Sequence, residues 1–172
     1  MITVSTHMSP AAPTNSSPLS DSAWSVAMPD ALAAQAVTVG ASLRHSMQTG
    51  FVVYEGASGR PLHIASDLPG IAWSNFSELI REVARGTTAR LIEEEDPLLL
   101  QAIPLVTADK AVLVAAGLYL SRPVESPADV VRAAQVFGLS PEQLFHWCRQ
   151  QKPVTIETIT RMTDVLTAKL HA

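Results

Sequence analysis

Apolar positions change their period several times along the chain, and each change marks an element. Asp30 to Gln48 has helical composition, with Ala31, Leu32, Ala34, Ala36, Val37 and Leu43, and Gly50 follows as a stop. Phe51-Val52-Val53-Tyr54 is a short continuous apolar run that reads as a buried strand. The turn residues Gly56-Ala57-Ser58-Gly59 separate it from Pro61-Leu62-His63-Ile64-Ala65, so the pair predicts a hairpin. Phe76, Leu79, Ile80, Val83 and Ala84 then fall on one face at helical spacing. Asn75 is the expected cap, Glu78 sits three residues later and Gly86 is the stop. Thr87 to Glu93 leans towards strand through β-branched Thr87, Thr88 and Ile92. Leu98 to Val106 and Ala111 to Leu120 are the most apolar runs, split by Thr107-Ala108-Asp109-Lys110. Their poor alternation predicts a central hairpin buried on both faces. Pro104 lacks an N–H and so predicts an edge or bulge position.

The stretch from Ser126 to Leu170 predicts three short helices with their boundaries spelled out. Ser126-Pro127 and Ser140-Pro141 each place a capping serine before a proline at the first helical position, where the missing N–H costs nothing. Ser140-x-x-Gln143 is also a capping-box pattern. Gly138 stands where a left-handed residue closes the first of these helices, and Pro153 breaks the chain before Thr155 to Leu170. The order is helix, strand pair, helix, strands and three helices. It predicts an α+β domain with a single, mainly antiparallel sheet flanked by helices and a C-terminal three-helix segment. Residues 1–22, rich in Ser, Thr, Pro and Ala, predict a disordered tail, leaving 23–172 as one domain.

Composition narrows the function. No run of 18 apolar residues is present and the N-terminus lacks the pattern of a secretory signal, so a cytoplasmic domain without membrane association is expected. Twelve Lys and Arg against sixteen Asp and Glu give a net charge of −4, and the basic residues are scattered singly. No electrostatic footprint for nucleic acid results. Glu93-Glu94-Glu95-Asp96 is the one charge run, expected on a solvated loop because a hard cation needs converging ligands.

Candidate chemistry is sparse. His7, His45, His63, His146 and His171 show no metal-ligand spacing with each other or with a cysteine, so neither a metal site nor a cofactor is expected. Cys148, the only cysteine, has His146 and Arg149 as sequence neighbours. Adjacent helix positions diverge by about 100°, so a small buried apolar residue is the expectation. There is no glycine-rich phosphate loop, nucleophile elbow or paired-carboxylate motif, so no enzymatic activity is expected.

Two functional classes stay open. Residues 130–149 fit a helix-turn-helix template, with Ala134 at the tight position, Gly138 in the turn and Ala133, Phe137, Leu139, Leu144 and Trp147 in core positions. Its second helix would present Glu142, Gln143, His146 and Arg149 to a major groove. An acidic residue facing phosphates and the lack of Asn, Lys or an early Arg argue against nucleic acid.

The other class rests on a resemblance. Phe51-Val-Val-Tyr-Glu-Gly-Ala-Ser-Gly-Arg-Pro-Leu, Gln101-Ala-Ile-Pro-Leu-Val, Val114-Ala-Ala-Gly-Leu-Tyr-Leu and the helical end from Val130 to Leu170 are the matching segments. Over these, about two thirds of the chain resembles the PocR-type sensory domain, a relative of PAS and GAF domains of bacterial signalling proteins. The chain has no cysteine in the middle region, where family members usually carry them, so no metal or thiol role carries over. The resemblance implies a non-catalytic sensory or regulatory domain with a small-molecule pocket between sheet and helices. Tyr54, His63, Trp73, Phe76 and Tyr119 are the candidate lining residues, since such pockets are apolar with a few polar groups. The last helix carries Ile159, Met162, Leu166 and Leu170 on one heptad-like face, with Ile156 extending it. The resemblance implies that residues 155–172 pair two copies in a homodimer or pass the signal to a downstream effector. Ala172 is followed by no effector, which leaves open a piece of a longer protein or a domain acting in trans.

Overall fold

The central hairpin decides the architecture. Leu98–Val106 (β4) and Val112–Leu120 (β5) pair antiparallel over their full nine residues each, from Leu98 with Leu120 to Val106 with Val112. Leu98 to Ile103 of β4 and Leu113 to Leu120 of β5 are buried without a break, which requires cover on both faces. Phe51–Glu55 (β1) pairs with β5, and Pro61–Ile64 (β2) returns along β1. On the other side Arg90–Glu95 (β3) pairs with β4. The result is one five-stranded antiparallel sheet in the order β2-β1-β5-β4-β3, the α+β architecture that the hydrophobic pattern predicts. This is a computed structural model that describes residues 22–170, without the side chains of 22–30, 93, 94, 169 and 170.

Side chains alternate across the sheet, so each strand feeds two cores. On one face Val52, Tyr54, Leu98, Leu100, Ala102, Val114, Ala116, Leu118 and Leu120 meet Ser77–Ala84 (α2), Val131–Phe137 (α3) and Pro141–Cys148 (α4). On the other face Phe51, Val53, Leu99, Ile103, Leu113, Ala115 and Tyr119 meet Ser22–Met47 (α1) and Ile156–Leu170 (α5).

The helix boundaries follow the expected capping chemistry closely at the C-terminal end. Ser140 Oγ accepts from Gln143 N at 3.1 Å while Gln143 Oε1 accepts from Ser140 N at 3.0 Å, closing the capping box. Gly138 has φ 67°, and Leu139 N donates to Ala134 O across it. Ser126 heads a 3-10 turn, Pro127–Val130, that runs into α3, and Asp129 Oδ2 accepts from the backbone N–H of Glu125 and Ser126. Those two bonds hold the Asp129 carboxyl below its ordinary range. Pro104 lies beyond the last β3 partner pair, Arg90 with Ala102, so β4 is an edge on that side there, while on the other side Pro104 stays opposite Val114 of β5.

Three expectations are corrected. Helix α1 opens at Ser22 rather than Asp30 and runs through Pro29, although a proline inside a helix removes one backbone bond and crowds the carbonyl four residues earlier. Ser22 therefore belongs to the helix, and the rest of the predicted tail, 1–21, lies outside the described residues. Asn75 does not cap α2. It sits inside a 3-10 turn, Trp73–Phe76, with its N–H on Ala72 O, and Ser77 Oγ bridges Ser74 O and Gly59 O at the junction. The acidic run is not on a loop. Strand β3 continues to Glu95 because Leu98 and Leu99 offer partners, with a bulge between Glu93 and Glu95. Glu95 pairs with Arg132 and Asp96 with Arg122, while the side chains of Glu93 and Glu94 lie outside the description.

Candidate functional site

The five candidate pocket residues separate onto the two faces of the sheet. Tyr54, Trp73 and Phe76 share the α2–α4 face. Tyr54 is fully buried and donates its hydroxyl to Trp73 O at 3.0 Å, and burial holds its phenol well above the ordinary range. Trp73 and Phe76 stack at 5.8 Å between centroids and Phe76 reaches Phe137 at 6.0 Å. These side chains interdigitate with the α2–α4 core, as a filled interior does. Trp73 Nε1 is buried there without a hydrogen-bond partner.

Tyr119 and His63 lie on the α1–α5 face, where the geometry is different. Tyr119 donates its hydroxyl to Gln101 Oε1 at 3.1 Å, Gln101 Nε2 donates to Thr163 Oγ1, and Thr163 Oγ1 donates to Ile159 O at 2.7 Å. All three side chains are buried, and Tyr119's phenol is held well above its usual range by that burial. The chain of bonds ties α5 to the two central strands. Sequence reading missed Gln101 and Thr163. A lone polar residue inside the apolar run Leu98–Val106 was the available signal for Gln101. Thr163 is one of four threonines between Ile156 and Leu170 and carried none.

Two openings flank this tie. One is a groove of about 350 Å³ between α5 and the edge of the sheet, lined by Thr87 to Leu91, Gln101, Thr160, Thr163, Asp164 and Thr167. The other is a notch of about 520 Å³ between α1 and β2, which His63 lines with Gly40, Arg44, His45 and Gln48. Helix α1 approaches β2 closely because Gly40 has no side chain: a Cβ there would lie 2.7 Å from His63 Cδ2. Arg44 reaches Asp67 at 3.2 Å, whose second oxygen is buried against Gly50 without a partner. Of the five candidates His63 lines one of these two openings, and the other four line neither.

The predicted signalling face of α5 turns inward. Ile159 is fully buried, and Met162 and Leu166 pack half-buried on the same sheet face; the side chain of Leu170 lies outside the described residues. The helix-turn-helix candidates are occupied locally. Gln143 closes the Ser140 box, His146 Nε2 meets Gln150 Nε2 at 2.9 Å and the Arg149 guanidinium lies over the Phe145 ring at 6.0 Å. Cys148 is buried, and desolvation pushes its thiol up to about 11, which keeps it protonated and poorly nucleophilic at neutral pH. Among the described residues no three His, Cys, Asp or Glu side chains converge, and no helix is long and apolar enough to cross a membrane. Comparison of the chain with protein-family models, with curated proteins and with solved structures finds no match.

Proposed function

We propose that the chain is a non-catalytic sensory or regulatory domain of a signalling protein that passes its state to a partner through α5. The observation that carries this reading is the buried Tyr119–Gln101–Thr163 chain, which fastens a terminal helix to the middle of the sheet by polar contacts. Apolar packing alone tolerates sliding, whereas a hydrogen-bonded triad has one satisfied arrangement and penalises every other. A helix held that way has two discrete conditions, docked and released, and a ligand shifts the balance only by binding one better than the other.

The notch beside α1 is the ligand site of this reading. Its lining of Arg44, His45, His63 and Gln48 suits a small organic anion, with Gly40 leaving room at the wall. His63 stands opposite Val53 on β1, and Val53 opposite Ala115 on β5, four residues before Tyr119. Notch and tie are therefore on one continuous sheet face.

A thermal-shift screen of small carboxylates and phosphate esters tests the reading. A ligand at 100 times its dissociation constant raises stability by about 2.7 kcal/mol. The expected hit loses its effect in His63→Gln and changes the exchange of α5 amides. A screen without any stabilising compound contradicts the ligand site. A hit that leaves α5 unchanged contradicts transmission through that helix.

A further inference from the structure

We propose that the opening where the C-terminal end of α2 meets the turns after β1 and β4 is a binding site for a small phosphate monoester, held by Arg81, Arg85 and Lys110. It lies apart from the ligand notch and stands without that reading.

Three cations from two separate elements line this opening, which has a volume of about 420 Å³. Arg81 and Arg85 stand one turn apart along α2, the second just past its end, and Lys110 comes from the β4–β5 turn. All three are exposed, in a chain whose net charge is −4. None has an ion-pair partner among the described residues. Acidic residues are close in sequence. Glu78 and Glu82 lie three positions before Arg81 and Arg85, a spacing at which helical side chains meet. Glu82 instead pairs with Arg90 at 2.6 Å. Glu55, which also lines the opening, accepts from Ser58 Oγ at 2.5 Å and has Arg60 at 3.8 Å. Asp109 accepts from Gln35 Nε2 at 3.4 Å. Like charges four residues apart on a helix repel, so a bound anion relieves a cost that the free protein bears.

Compensation of the helix dipole accounts for basic residues near the end of α2. It does not account for Lys110. That residue has φ 63°, a left-handed conformation that glycine or asparagine adopts at less cost. Thr107 fixes it: Lys110 N donates to Thr107 O at 2.9 Å, and Ala111 N donates to Thr107 Oγ1 at 3.1 Å. A rigid turn therefore delivers a lysine to the opening that the two arginines already line.

The rest of the lining is small and apolar. Gly56 N donates to Val112 O at 2.8 Å, and a Cβ on Gly56 would lie 2.9 Å from Ala84 Cβ, so glycine lets α2 close on the sheet here. Ala57, Ala84 and Ala111 lie beside it. Small-molecule sites of about 300–1,000 Å³ combine such apolar walls with a few polar groups. Guanidinium forks match the paired oxygens of a phosphate, and an ammonium adds a compact charge. A phosphate monoester carries about −1.5 to −2 at neutral pH on three acceptor oxygens, which suits three cations better than a single carboxylate does.

Calorimetric titration of the full chain with glycerol 3-phosphate tests the proposal, with amide shifts as a second readout. Binding is expected, with shifts at Ala84, Arg85 and Lys110. Arg85→Gln and Lys110→Gln are each expected to weaken it about tenfold, the worth of one charge-assisted hydrogen bond. Lys110→Arg, Arg161→Gln on α5 and His63→Gln in the notch are expected to bind like the unchanged protein. The methyl diester of the same compound, with one charge fewer, is expected to bind about tenfold more weakly. Undiminished binding in Lys110→Gln, or an equal loss in Arg161→Gln, overturns the site in favour of diffuse surface charge. Loss in His63→Gln places the ligand in the notch and overturns it too. Equal binding of the diester overturns the monoester assignment, and equal binding of inorganic phosphate overturns the part given to the apolar walls. Neither heat nor amide shifts up to about 10 mM overturns the proposal as a whole.

Discussion

The two faces of the sheet are built from the same strands and by different rules. On the α2–α4 face the buried cluster is apolar and aromatic; the Tyr54 hydroxyl and Trp73 carbonyl satisfy each other, and Trp73 Nε1 is left without a partner. On the α1–α5 face the centre is polar, with Gln101 and Thr163 buried among leucines, and openings lie on either side. An apolar core gains stability from every methylene and tolerates small shifts. A buried polar triad contributes less net energy and specifies one arrangement more strictly. The first face is suited to hold the fold, and the second is the one that the proposed function has change state.

That contrast is broken most easily by truncation of the filled face. Leu118→Ala, at a fully packed position on β5, should cost about 3 kcal/mol through lost transfer energy and an unfilled cavity. Chemical denaturation measures it, and a loss below about 1 kcal/mol would show that this face is loosely packed.

On the other face Gln101→Leu should cost about 1–3 kcal/mol, since the buried Tyr119 hydroxyl loses its partner and Thr163 Oγ1 keeps only its bond to Ile159 O. The triple replacement Gln101→Leu, Tyr119→Phe and Thr163→Val should recover most of that loss, because no orphaned group remains. If the triple variant is instead the least stable, apolar fit and not hydrogen bonding holds α5.

Gly117 sharpens the same face. A Cβ there would lie 2.8 Å from Phe51 Cε1, so Gly117→Ala should destabilise by about 1–2 kcal/mol, while Gly117→Ala with Phe51→Leu should lose less than the sum. Additive losses would mean that the ring shifts freely.

The smallest effect belongs to pH. The Cys148 thiol is raised to about 11 from an ordinary value of 9, so the unfolded chain gives up its proton first as pH rises. The contribution is fully present below pH 9 and is lost as pH climbs towards 11, so no change from it is felt at neutral pH. Native Cys148 should accordingly resist alkylation at pH 8 and react at once in denaturant.

What was legible in the chain follows the same division. The continuous runs Leu98–Val106 and Ala111–Leu120 could only be strands covered twice, and Ser140, Gly138 and Pro153 carry local chemistry that tertiary contacts had no reason to override. Asn75 was misread because a 3-10 turn and a helix use the same residues at their start, and only the Ser77–Gly59 contact tells them apart. The site was less legible. Aromatic residues on strands fill a core or line a pocket with equal ease, and the sheet separates Tyr54 from Tyr119 by parity, which matters only once the register is known. The heptad-like stripe of α5 reads alike whether it meets another molecule or its own sheet. Here it meets the sheet.

The central claim is that α5 is the part of this fold built to let go. Native-state hydrogen exchange under increasing denaturant measures it directly. The amides of Thr160 to Ala168 should exchange through a sub-global opening at lower free energy than those of β4, β5 and α2, and Gln101→Leu should lower that opening further while leaving α2 on the global curve. If the α5 amides merge with the global unfolding of β5 at every denaturant concentration, in both proteins, α5 is simply part of the core and the account is wrong.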